Sequence, residues 1–166
     1  MESICVYVVR RFVASRAEHP AYWDPRTRET ADHSNPYLIG AALVDGEITP
    51  RTFTPERFRD PALLAVVGKI RMEEDKSFTA AFPRTFNCRF EATLRSGERV
   101  SVHQTNPRGH PSNPMTDSEI ESKFLKQAAG VIPDAQSRAL LDQLWNLEQV
   151  DDLQKLLRLM VVPERG

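Results

Sequence analysis

The sequence predicts an α+β fold: a small sheet that includes a β-hairpin, flanked by helices and followed by a segment that is helical to its end. Three observations carry this. Cys88, Phe90, Ala92 and Leu94 alternate with Arg89, Glu91, Thr93 and Arg95, the period of a strand with one wet face. Ile4 to Phe12 is dense in Val, Tyr and Ile, as in a buried strand. From Thr116 onward the apolar residues fall at helical spacing. The expected division is an α+β layer over residues 1-115 and a helical segment over 116-166.

In chain order, a strand over Ile4–Phe12 leads into a loop over Ser15–His33. Pro36–Val44 reads as a helix, with Ser34 or Asn35 as its cap, Pro36 suited to the first turn, and Asp45-Gly46 as its stop. Asp60-Pro61 opens a second helix expected to run to Met72, on the spacing of Leu63, Leu64, Val66, Val67 and Ile70. The alternating strand at Cys88 turns at Ser96-Gly97 and returns through Val100 and Val102. Thr116-Asp117-Ser118-Glu119 is a capping box, in which hydroxyl and carboxylate each take the other's free backbone N–H. Pro133 starts a further helix, and Asp151 or Asp152 the last. Eight leucines between 140 and 159 give these closing helices wide apolar faces, which need a cover: the α+β layer, a second copy or a separate chain.

A chain of 166 residues with 40% hydrophobic and 27% charged residues has the composition of a globular domain. A net charge of −1 gives no basic surface for nucleic acid or an anionic membrane, and no apolar run reaches membrane-spanning length. Cys5 and Cys88 are too few for a disulfide framework and lack metal-ligand spacing. They read as buried thiols in strands, and the expected location is cytoplasmic. No Gly-rich phosphate loop, HExxH, CxxC or GxSxG occurs, and an iron–sulfur dehydratase would need more cysteine ligands than two. The expected cofactor and metal are therefore none.

Candidate chemistry concentrates in Trp23–Ser34, where two arginines, three carboxylates and a histidine fall within twelve residues. His33 is the candidate catalytic residue, because imidazole exchanges a proton near neutral pH. Arg26 and Arg28 are the candidate substrate-binding residues, since guanidinium matches a carboxylate with paired donors. Each arginine could equally pair with Asp24, Glu29 or Asp32 on the surface. Asp32 reads as structural, Glu29 as an arginine's partner and Tyr37 as core. A helix start at Pro36 would add an anion-stabilising N-terminus. His19 and His103 read as surface, His110 as part of a stiff connector or lid edge, and Lys123 as solvated.

The run from Trp23 through Asp24-Pro25, Thr27-Arg28-Glu29-Thr30-Ala31-Asp32-His33-Ser34 and Pro36-Tyr37, then Ala41-Ala42-Leu43-Val44-Asp45-Gly46-Glu47-Ile48-Thr49, resembles the 2-methylcitrate dehydratase (MmgE/PrpD) family. Thr54–Pro61 and Asn106–Asp117, the latter followed by Lys123-Phe124, resemble later segments in the family's order. The resemblance covers only the family's C-terminal portion: a lid-like α+β domain and the helices that close a large helical domain. It implies cofactor-independent lyase chemistry on small di- and tricarboxylates, with the histidine of the Ala31-Asp32-His33-Ser34 motif in the active site. Family activities include dehydration of 2-methylcitrate, decarboxylation of cis-aconitate and epimerisation of iminodisuccinate. The family's remaining catalytic groups belong to the helical domain, so the chain is expected to be inactive alone. Expected partners are the carboxylate substrate and, through the closing helices, a separate helical-domain chain or a second copy. A non-catalytic carboxylate-binding or protein-interaction module is the alternative.

Overall fold

The computed structural model describes residues 1–13 and 18–163 and resolves into two compact units, Met1–Pro107 and Arg108–Gly166. It is α+β, with a four-stranded mixed sheet and seven α-helices among the described residues.

In the first unit, β1 (Ser3–Val8) lies inside the sheet. It pairs in parallel with β2 (Ile70–Glu74) on one side and antiparallel with β3 (Cys88–Thr93) on the other, and β4 (Arg99–Gln104) completes the order β2-β1-β3-β4. Because strand side chains alternate, Val6 lines up on one face with Met72 and Phe90, its register partners. That face meets α2 (Asn35–Asp45) and α3 (Pro61–Val67) in a core of Ile4, Val6, Val8, Tyr37, Ala41, Leu63, Val67, Ile70 and Met72, all buried. α1 (Arg28–Asp32) adds Ala31 to this core. The opposite face carries α4 (Lys76–Ala81), whose Phe78 ring stacks on His103 at 5.2 Å. There Arg89 lies 4.3 Å from the Tyr7 ring centre and bonds both Asp75 (3.2 Å) and Glu91 (3.0 Å).

Several local readings hold. Ser34 caps α2, its hydroxyl accepting the Tyr37 N–H at 3.1 Å, and Gly46 ends the helix in the left-handed region at φ 78. Asp60 caps α3 through the N–H groups of Ala62 and Leu63. Cys5 is buried in β1 and Cys88 half-buried in β3, on opposite faces of the sheet by the same register, and burial pushes both thiols up.

Other readings are corrected. The first strand stops at Val8, where Arg10–Phe12 forms a 3-10 turn. The helix expected to reach Met72 ends at Val67, and Ile70 and Met72 belong to β2. Helical spacing and the two-residue alternation of Ile70 and Met72 overlap at this junction, and pairing with β1 decides between them. The hairpin turn spans Arg95–Gly97 rather than two residues. Leu94 and Glu98 close it by a 2.8 Å backbone bond, and Gly97 supplies the left-handed residue at φ 85. Part of the expected loop, Arg28–Asp32, is helical because Thr27 Oγ1 accepts the Thr30 N–H and starts a turn. Ser15, Arg16 and Ala17 of that loop lie outside the described residues.

The second unit holds α5 (Asp117–Ala128), α6 (Asp134–Trp145) and α7 (Leu153–Arg158). The capping box forms as read: Thr116 Oγ1 accepts the Glu119 N–H, and Glu119 Oε2 accepts the Thr116 N–H at 2.8 Å. Arg108 grips the same carboxylate through Nε and Nη2. Arg108 and the Thr116 bonds together hold Glu119 down at about 2. His110 Nδ1 accepts the Ser112 N–H at 3.1 Å within the connecting loop, and Lys123 is exposed on α5. Leu140 and Leu156 are buried here, whereas Leu144, Trp145, Leu147, Leu153, Leu157 and Met160 are exposed. No helix among the described residues is long and apolar enough to cross a membrane.

Two expectations follow for stability. Leu63→Ala empties a fully buried site and should cost about 2–5 kcal/mol in chemical denaturation. Gly40→Ala should cost about 1–3 kcal/mol by overpacking, because a Cβ there would stand 2.6 Å from Val67 Cγ2. In the second unit, Glu119 sits below the usual carboxylate range, so its stabilising bonds are complete above about pH 4.5 and are lost as pH falls toward about 2. Amide chemical shifts should show the first turn of α5 fraying over that interval in the wild type and already frayed at neutral pH in Thr116→Ala.

Candidate active site

α1 begins where Thr27 takes the Thr30 N–H, and it is five residues long. Its last turn delivers His33 as the C-cap, and the N–H of the next residue, Ser34, returns to Ala31 C=O at 3.2 Å. Ser34 follows at once as the cap of α2 and is fully buried. Its hydroxyl also donates to the Tyr22 carbonyl, which ties the preceding Pro20–Tyr22 turn to the same point. His33 is thus anchored through the backbone on both sides, while its side chain is 64% exposed.

The His33 ring has one occupied nitrogen. Nδ1 lies 3.0 Å from Glu29 C=O and 2.7 Å from Asp32 Oδ1, and Glu29 Oε1 stands farther off at 3.9 Å. These oxygens favour the cation, so His33 is raised above the usual 6.5, first by the Glu29 carbonyl and then by Asp32. Asp32, read as structural, is in direct contact with the candidate histidine. Among the described residues Glu29 pairs with no arginine; it serves the ring instead through its carbonyl.

The two arginines differ. Arg26 is held by Asp24, with Nε at 3.1 Å from Oδ2. Arg28 makes no ion pair among the described residues, and its guanidinium lies 6.0 Å from the Phe53 ring centre. Phe53 was missed in the sequence because it is distant along the chain and ordinary in kind. Arg28 opens α1 and His33 caps its other end, five residues apart and about 140° around an ideal helix. At the start of α2, Tyr37 N–H is taken by Ser34 Oγ and Pro36 has none, and both residues are buried, so neither offers a donor to an anion. Tyr37 itself is core, donating to Thr52 C=O at 2.6 Å, and burial pushes its hydroxyl up to about 12.

Glu29, Asp32 and His33 bring ligand atoms within 4.8 Å of one another, and all three residues are exposed. The Asp32 bond to Nδ1 and the Glu29 Oε1 contact at 3.9 Å already account for this grouping.

The polar segment, the Glu29, Asp32 and His33 group and the hairpin lie within the region 8–147, which matches the model of the MmgE/PrpD C-terminal domain. The chain belongs to the MmgE/PrpD family. Among its relatives, mouse cis-aconitate decarboxylase is 25% identical over 139 residues, covering 84% of this chain and 28% of that protein. A cis-aconitate decarboxylase-like protein of Aspergillus oryzae is 28% identical over 160 residues, covering 92% and 33%. The mitochondrial 2-methylcitrate dehydratase of Yarrowia lipolytica is 27% identical over 116 residues, covering 66% and 22%. This MmgE/PrpD chain therefore spans between about a fifth and a third of the length of these relatives.

The raised His33 sets a pH dependence. A histidine whose folded value exceeds its unfolded one contributes stability below the unfolded value, near 6.5, and loses it as pH rises through the folded value. A ¹H NMR titration of the ring should show a midpoint above 6.5. Because the ring is open to solvent, the bonds to Nδ1 and not burial should set that midpoint, so it should return toward 6.5 when the chain is unfolded in denaturant.

Proposed function

We propose that this chain is the C-terminal part of a cofactor-independent lyase acting on small di- or tricarboxylates by acid–base chemistry. The observation that carries the reading is the exposed His33 ring, anchored at Nδ1 and open at its other nitrogen. Dehydration, decarboxylation or epimerisation of such acids moves a proton at a carbon beside a carboxylate, and the developing negative charge must be stabilised meanwhile. His33 supplies the acid or base. Arg28, free of ion pairs among the described residues, holds a substrate carboxylate, and Arg26 does so by exchanging Asp24 for the substrate. The names of the relatives support the substrate class, with cis-aconitate and 2-methylcitrate as the first acids to try. Use of 2-methylcitrate would place the chain in propionate catabolism, and two unpaired cysteines fit a cytoplasmic setting.

His33, Arg26 and Arg28 sit on an open surface, and proton transfer at carbon needs a pocket that excludes water and holds acid and base together. The chain is accordingly inactive alone and works with the remainder of such an enzyme, whichever polypeptide carries it. The exposed Leu144, Trp145, Leu153, Leu157 and Met160 are the surface offered for that contact. The same residues favour a second reading, a non-catalytic carboxylate-binding or protein-interaction module.

Titration of ¹⁵N-labelled chain with 2-methylcitrate and cis-aconitate should shift signals of His33, Arg26 and Arg28 at millimolar ligand, with the response lost in His33→Ala and no turnover detected. Turnover by the purified chain would overturn the incomplete-site reading. Silence of all three residues would remove the lyase reading and leave the interaction module.

A further inference from the structure

The surroundings of His33 decide more than its affinity for a proton. Two oxygens stand within hydrogen-bond distance of Nδ1, the Glu29 carbonyl at 3.0 Å and Asp32 Oδ1 at 2.7 Å. A carbonyl and an ionised carboxylate can only accept. A bare Nδ1 lone pair would face two oxygen lone pairs at these distances, so Nδ1 keeps its proton in both the charged and the neutral ring. The nitrogen that gains and loses the proton is then Nε2, which has no partner among the described residues, on a ring 64% exposed. In water, free neutral imidazole side chains prefer the opposite form, with the proton on Nε2. The fold reverses that preference.

We infer that Asp32 is a positioning residue which, with the Glu29 carbonyl, locks His33 as the Nδ1–H tautomer and makes Nε2 the sole acid–base atom of this site. The inference rests on the reading of His33 as the proton-transfer group, and it deepens that reading by naming the atom and the residue that orients it. Asp32 is suited to the task by adjacency. It closes α1, and the bond it makes to the next residue's ring costs no long side chain its freedom. Glu29 contributes through the backbone, with its carboxylate at 3.9 Å, so the fold of α1 supplies half of the lock whatever side chain stands at 29.

Few other charges bear on the ring. On α1 itself they are Glu29, Asp32 and Arg28. The elements packed against α1 carry Tyr22 on the Pro20–Tyr22 turn, Arg51 on the Pro50–Phe53 turn and, on α2, the buried Tyr37, bonded to Thr52 C=O, and Asp45 at the far end, paired with Arg57. A proton leaving a substrate carbon would pass to Nε2, making the imidazolium that Asp32 and the carbonyl stabilise, and would return from Nε2 to the product or to water. No other reactant is needed for that exchange.

The test is a long-range ¹H–¹⁵N correlation of the His33 ring as pH is raised, with His33→Gln used to assign the signals. Above the midpoint, Nε2 should move to the position of an unprotonated ring nitrogen while Nδ1 keeps that of an N–H. Asp32→Asn retains a carbonyl acceptor but no charge, so it should keep this tautomer and lower the midpoint. The midpoint should stay above the unfolded one, because the Glu29 carbonyl remains. Asp32→Ala should let the Nε2–H form appear beside the locked one. A wild-type neutral ring protonated at Nε2 would overturn the inference, as would a midpoint that Asp32→Asn leaves unmoved. Both readouts are independent of turnover and of carboxylate binding, so a failed lock and a failed lyase reading give different results.

Discussion

Ser34 is the point on which the site depends. Its hydroxyl accepts the Tyr37 N–H and donates to the Tyr22 carbonyl, with no exposure to water. One bond starts α2, and the other draws in the chain that precedes α1. A buried hydroxyl satisfied in both roles is costly to disturb, since removing it strands a donor on one side and an acceptor on the other. His33 is the neighbouring residue, so its backbone position follows from this bond pair, and its side chain is left to solvent.

That arrangement separates rigidity from reactivity. Tyr37, one turn along α2, is wholly buried and locked to Thr52 C=O. Gly40 lets α2 lie close on α3, which a Cβ at that position would prevent. The helices in turn rest on the apolar face of β1 and β2. A stiff base thus carries a short, capped helix whose exposed end holds the titrating group, and the chemistry stays on a few exposed side chains while the core holds their positions.

The second unit shows a different balance. Its capping box and the Arg108–Glu119 pair specify α5 locally. Yet with Leu140 and Leu156 buried and most other large apolar side chains of α6 and α7 exposed, it buries little of its own apolar surface. Helices of this length draw most of their stability from a packed face rather than from local propensity. The apolar face of α6 and α7 is accordingly left largely exposed.

What the sequence determined by itself has local causes. The caps at Ser34 and Asp60, the stop at Gly46, the Thr116–Glu119 box and the alternation from Cys88 each need only a few adjacent residues. The concentration of titratable groups between Trp23 and Ser34, and through it the family, was legible for the same reason. The tertiary structure decided what depends on distant partners. Ile70 and Met72 continue a helical spacing, and only pairing with β1 makes them a strand. The polar run before His33 reads as loop until the Thr27 cap, with Ala31 buried in the core, turns Arg28–Asp32 into a helix. That helix is what carries the Glu29 carbonyl to Nδ1, one turn back from the ring. Residue type marked His33 as able to exchange a proton, but the nitrogen that does so is set by which oxygens the folded backbone brings beside it.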